Sequence, residues 1–430
     1  MDDDWPSLDT AAAALRSGDR PIRASVDRRF DRIAAVESDL RAWVDGPKSR
    51  EWVQSEAAAL AKRYPHPESR PPLYGIPVGV KDIFHVDGLP TRAGSTLPPG
   101  ELAGRQAAVV TALREAGAVV LGKTVTTEFA HATPGPTRNP HDLAHTPGGS
   151  SSGSAAAVAA GMCPLALGTQ TVGSILRPAT FCGVVGLKPS FGRVPTAGVV
   201  PFSASVDHVG LFTRTIAGMA LAASVCVDDW HDVSVDDRPV IGVPDGPYLD
   251  QASEAGRQCF QRDVAALDEA GFALRRVELF SDIDAINERH NRLVTAEAAH
   301  AHDEWYERYG ERYSDATAEL IEDGQTVPAE AVAAGRRGRL TLRNRLDAVM
   351  AEHGIDVWLS PGAAGPAPEG IDSTGDPVMN LPWTHAGAPT VAVPTARVDG
   401  LPFGVQCAAR FDADERLLQW AGGIADVLSV

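Results

Sequence analysis

The chain has 430 residues, 44% of them hydrophobic, with 39 basic and 56 acidic side chains and a formal charge of −17. That is enough apolar sequence for a large buried core. The excess negative charge argues against nucleic acid and anionic membrane as partners, because like charge repels them.

No apolar run reaches membrane-spanning length, since the Ala-rich stretch 155–168 is broken by Gly161 and Pro164. The start, Met1-Asp2-Asp3-Asp4, lacks the basic and apolar regions of a signal peptide. Cys163, Cys182, Cys226, Cys259 and Cys407 are odd in number and form no CxxC, so they read as free buried thiols. A cytoplasmic protein is expected. Lysine is scarce: Lys48, Lys62, Lys81, Lys123 and Lys188 are the only five. Lysine, unlike arginine, can lose its proton when buried.

In chain order, residues 8–44 show helical periodicity in two pieces, split between Gly18 and Pro21. Phe30, Ile33, Val36 and Leu40 share one face of the second piece. Residues 76–80 read as a buried strand, 107–116 as a helix and 118–121 as a strand, a pattern of layered α/β type. Residues 133–150 are rich in Pro, Gly, His and Asn, and read as an ordered loop. A helix is predicted from Ser154, with Ser152 or Ser154 as its N-cap. From about 231 to 355 charged helices dominate, notably 296–309 and 329–353, as an excursion forming a helical wall. Apolar, proline-punctuated sequence returns at 356–361, a core strand is predicted at 390–394, and a closing helix at 414–428.

Several local motifs fail on context. Gly117 to Thr124 fits GxxxxGK[ST], but a helix precedes it and its strand lies inside it, which is wrong for a phosphate loop. Gly149-Ser150-Ser151-Ser152-Gly153 fits GxSxG, yet Thr146-Pro147-Gly148 stands where a strand is needed. Asp207 and His385 follow downstream without a telling setting. His141 and His145 lie between prolines, and His300 and His302 fall on different helix faces. Both pairs read as surface or loop histidines rather than metal ligands.

The segments with chemistry are Gly79-Val80-Lys81-Asp82, Gly148-Gly149-Ser150-Ser151-Ser152-Gly153-Ser154 and Gly168-Thr169-Gln170-Thr171-Val172-Gly173-Ser174. Glycines beside serines let a backbone approach a ligand and aim its N–H groups at a developing negative charge. A serine there can be a nucleophile and a lysine its base. These segments resemble the amidase signature family. The likeness runs through Gly75–Asp82, Gly122-Lys-Thr124, Asp207–Gly210, Gly375-Asp376-Pro377, Asn380, and Gly400–Gln406.

The resemblance implies a mixed β-sheet covered by helices on both faces, in one domain spanning 1–430. It implies a Ser–Ser–Lys triad of Lys81, Ser150 and Ser174, with a cis peptide before Ser150. The amides of Thr171, Val172, Gly173 and Ser174 would hold the oxyanion. No cofactor or metal is required, the substrate is a small-molecule amide, and a homodimer is left open. Two departures matter: Gln170 and Val172 stand where many members carry Asp and Gly, and arginine sits three residues after Ser174 rather than two. In this the chain resembles malonamidase-type members, in which that arginine, here Arg177, grips a substrate carboxylate. The alternatives are the amidase subunit of a tRNA-dependent amidotransferase and a non-catalytic protein of the same fold.

Overall fold

The computed structural model describes residues 5–428, apart from 47, 99, 132 and 236. Its ten strands are β1 (Pro77–Lys81), β2 (Val119–Thr124), β3 (Leu165–Gln170), β4 (Val185–Lys188), β5 (His208–Thr213), β6 (Ile241–Asp245), β7 (Leu274–Glu278), β8 (Val357–Pro361), β9 (Thr390–Val398) and β10 (Leu401–Ala408). They form one sheet in the order β2-β1-β3-β5-β4-β9-β10-β8-β6-β7. The sheet is mixed: β2, β1 and β3 run parallel, as do β8, β6 and β7, and the strands between pair antiparallel. Strands β1, β3 and β5 are buried along their whole length, so their sequences are near-continuous apolar runs rather than alternating ones.

The first two helices are Leu8–Ser17 and Ile22–Leu40, divided by Gly18 at φ 92°. Phe30, Ile33 and Leu40 are buried, and Val36 half-buried, on the face the periodicity indicated. The helix after the serine-rich loop spans Ser152–Ala159. Its cap position is Ser151, which makes no side-chain capping bond, so neither Ser152 nor Ser154 serves as N-cap. Ser154 Oγ instead donates to Leu167 O at 2.7 Å. Segment 231–355 carries the long helices Ile283–Tyr309 and Ala329–His353, and also gives β6 and β7 to one edge of the sheet. The formal phosphate-loop motif is strand β2. Its Lys123 Nζ lies 2.6 Å from Asp82 Oδ1 in a buried ion pair. The five cysteines are free and buried. No helix among the described residues is long and apolar enough to cross a membrane.

Candidate active site

Strands β1 and β3 are parallel neighbours, so their carboxyl ends open on the same edge of the sheet. Lys81 is the last residue of β1, and Gln170 the last of β3. The turn after Gln170 brings Ser174 to a cleft of about 360 Å³. Thr171, Val172, Gly173, Ser174 and Arg177 line one side, and Thr374, Gly375 and Pro377 another. Asn291, Val294 and Thr295 of helix Ile283–Tyr309, with Leu320, form the wall opposite.

The Gly149–Ser150 peptide is cis, as the resemblance implied. Lys81 is fully buried, and its Nζ lies 2.7 Å from Ser150 Oγ and 2.8 Å from Thr169 Oγ1. Burial pushes its pKa well below the ordinary lysine value, and the charge of Asp207 opposes that only in part. Ser174 Oγ makes no hydrogen bond to Ser150 in this structure; its side chain stands at the cleft instead. The structure thus joins Lys81 and Ser150 directly and sets Ser174 on the adjacent turn.

The turn is braced from three directions. The Gln170 carboxamide oxygen accepts the N–H groups of Ile175 (2.7 Å) and Leu176 (3.0 Å), and its nitrogen donates to Thr384 Oγ1. Thr171 Oγ1 donates to Asp207 Oδ1 at 2.6 Å, and the other Asp207 oxygen accepts the amides of Phe202 and Ser203. Burial raises the Asp207 pKa to about 6 against the pull of these bonds. The amides of 171–174 have no protein acceptor among the described residues. Val172 does not have a positive φ, so its β-branched side chain fits the turn and packs beside the cluster containing Trp383 and Met379.

Arg177 is buried, and one terminal nitrogen donates to Gly149 O at 2.7 Å and Thr374 Oγ1 at 3.0 Å. Its Nε and Nη1 have no partner. Burial lowers its pKa to about 10, with Asp376 opposing. No carboxylate pairs with it among the described residues.

Sequence alone assigns no role to Thr169, Thr384 or His290. Thr169 had a signal, five residues before Ser174 in the same glycine-rich segment. His290 and Thr384 come from distant helices, and His290 had none. Asp207 lies in the segment 207–210 of the family likeness, and both it and His385 follow GxSxG without a telling setting. Neither hydrogen-bonds Ser150; Asp207 braces the turn directly through Thr171, and His385 at one remove through His290. His302 is buried rather than exposed, hydrogen-bonded to Tyr313 and packed on Phe129, because the aromatic cluster closes over it. His141 lies in the loop, its Nε2 beside Cys182 O.

The family model for Amidase matches residues 24–418. AtzE of Pseudomonas sp. (strain ADP), part of a 1-carboxybiuret hydrolase, is 34% identical over 92% of this chain and 93% of its own. A glutamyl-tRNA(Gln) amidotransferase chain from Synechococcus sp. (strain RCC307) is 32% identical over 95% and 94%. Among solved structures, an amidase crystal structure superposes with a TM-score of 0.88 at 33% identity, covering 98% of this chain and 99% of that one. Native peptide amidase from Stenotrophomonas maltophilia gives 0.83 at 26% identity, covering 98% and 96%. Matched along nearly its whole length by the family model and by these relatives, the chain belongs to the amidase signature family, enzymes that hydrolyse the C–N bond of carboxylic amides.

Proposed function

We propose that the protein hydrolyses a small amide to the acid and ammonia through an acyl-enzyme on Ser174. Ser150 and Lys81 form the proton relay. The observation that carries this reading is the fully buried Lys81 Nζ at 2.7 Å from Ser150 Oγ. Burial favours the neutral amine, which can accept the Ser150 proton while donating to Thr169. Ser150 then accepts the proton of Ser174 as its Oγ attacks the carbonyl carbon. The Ser150–Ser174 bond forms once substrate occupies the cleft, since catalytic hydrogen bonds often tighten only in the complex. The amides of 171–174 receive the oxyanion. As the tetrahedral intermediate collapses, the C–N bond breaks and Ser150 returns a proton to the leaving nitrogen. Water then attacks the ester, with the relay working the same way. Ser174→Ala should abolish turnover and labelling by a fluorophosphonate while keeping the fold. Retained turnover would refute the assignment.

The substrate we propose carries a carboxylate, as for malonamidase-type enzymes. The two unpartnered donors of Arg177 support this, because a buried guanidinium without a protein carboxylate suits one supplied by ligand. The carboxyl group in the name of the AtzE relative's substrate agrees. Arg177→Ala should cost about 2–4 kcal/mol in kcat/KM for half-amides of diacids and much less for neutral amides. Equal losses on both would assign Arg177 to bracing Gly149 alone.

Likeness to an amidotransferase component supports a second reading, in which the chain serves a hetero-oligomer. Turnover of free amides by the purified chain, monomer or homodimer by light scattering, would set that reading aside.

A further inference from the structure

Three hydrogen bonds hold the carbonyls of the turn that carries Ser174. His290 Nε2 lies 3.1 Å from Thr171 O, Thr384 Oγ1 donates to Val172 O at 2.7 Å, and Arg177 N donates to Gly173 O at 3.0 Å. In a trans peptide the N–H points away from the C=O of the same unit. Fixing each carbonyl therefore fixes the direction of the next amide, those of Val172, Gly173 and Ser174. Two of these bonds come from residues close to the turn or already tied to Gln170. The first comes from the N-terminal third of helix Ile283–Tyr309, in the cleft wall.

The proton arrangement around His290 follows from its partners. A carbonyl can only accept, so Nε2 carries the hydrogen. His290 Nδ1 lies 3.1 Å from His385 Nδ1, and both rings are fully buried. With His290 neutral, its Nδ1 is the acceptor, so His385 Nδ1 is the donor and His385 Nε2 bears no hydrogen. His385 Nε2 is then an acceptor, and it has no hydrogen-bond partner. Burial holds both rings neutral, His290 at about 4 and His385 at about 2; the cation Arg339 adds to it at both, and His290 and Arg289 at His385. Gly338 on the facing helix makes room, since a Cβ there would lie 3.3 Å from His385 Nε2 and 2.4 Å from Arg289 Cδ.

We infer that His290 is a positioning residue for the oxyanion turn, and that His385 locks the tautomer in which His290 donates to Thr171. The inference rests on reading 171–174 as the oxyanion hole. Through it the helical wall aims the Val172 amide as well as bounding the cleft.

The test compares His290→Leu, which cannot donate, with His290→Gln, which can. In His290→Leu, kcat should fall roughly 10- to 100-fold, less than for deleting a donor outright, with KM within about twofold. Affinity for an aldehyde analogue of the substrate, which forms an oxyanion on Ser174, should fall in parallel. Affinity for the carboxylate product should hold. His290→Gln should recover most of the loss. If His290→Leu does not fold, His385→Leu against His385→Asn makes the same comparison, since asparagine keeps a donor for His290 Nδ1. Either pair overturns the inference if the leucine variant keeps kcat within about twofold, or if kcat and thermal stability fall together without recovery in the amide variant. Turnover surviving in Ser174→Ala would instead sink the triad reading. A dead Ser174→Ala beside a fully active His290→Leu would sink only the role of His290.

Discussion

Burial does not by itself single out Lys81, because Lys123 and Lys188 are buried too. Lys123 is neutralised by Asp82, and Lys188 donates to the carbonyl of Ala388. Lys81 alone among the three lies between two side-chain hydroxyls. Two consequences follow from its depressed pKa. Because the base must be neutral, kcat/KM should rise with pH along an acid limb centred well below 10.5 and then level off. A limb centred near 10.5 would place the base elsewhere. The stability effect has the same origin. Between the lowered folded pKa and the ordinary value the unfolded chain holds more protons, so stability should rise with pH across that window. Lys81→Met should reduce that slope in thermal unfolding, the remainder coming from Lys123 and Lys188, whose pKa values burial also lowers, and abolish turnover. Thr169→Val removes one of the two hydroxyls, and should lower kcat by on the order of tenfold with KM little changed.

The turn between β3 and the short helix Leu176–Cys182 is built on Gln170 and Gly173. Gly173 lacks a side chain for reasons of space, not φ: a Cβ would meet Asn380 Oδ1 at 2.6 Å and Pro377 Cβ at 2.8 Å. Gly173→Ala must displace the turn, so kcat should fall far more than the melting temperature. If instead both stay near wild type, the neighbours yield and the turn is not held as described. Glycine also explains which elements were hard to read. Leu8–Ser17, Ile22–Leu40 and β2 were legible from periodicity or apolar runs. Strands β4, β5 and β10 carry Gly186, Gly210 and Gly404, and glycine in a sequence reads as loop. In the fold each stands where a neighbour takes its side-chain room. A Cβ on Gly210 would lie 2.2 Å from Ile175 Cδ1, and one on Gly404 2.2 Å from Val393 O.

On the scale of the molecule, the site joins parts far apart in the chain, and that limited what could be read. Lys81, Ser150, Ser174 and Arg177 sit in local patterns that point to the chemistry proposed for them. His290 sits in a helix whose sequence gives no sign that it faces a turn more than a hundred residues earlier. Glu297, two turns further along that helix, ties the wall to the site by a second route. Its carboxylate accepts from Ser203 Oγ, from Ser205 N and Oγ, and from Arg336 Nε. The amides of Phe202 and Ser203 in turn hold Asp207, which holds Thr171. Burial alone would raise the Glu297 pKa, but the Ser205, Ser203 and Arg336 hydrogen bonds outweigh it and leave it lowered. A carboxylate with a depressed folded pKa stabilises above its unfolded value, and that contribution is lost as pH falls through the folded one. Glu297→Ala should therefore lose about 1–3 kcal/mol at neutral pH. Most of that should come from the buried serine bonds, because Arg336 is largely exposed. The difference in melting temperature from wild type should close as pH falls below 4.5. The same variant should lose some kcat at neutral pH, through Asp207 and Thr171. A gap in melting temperature that stays constant across the acid range would show that Glu297 contributes by packing alone, and would remove this second link between wall and turn.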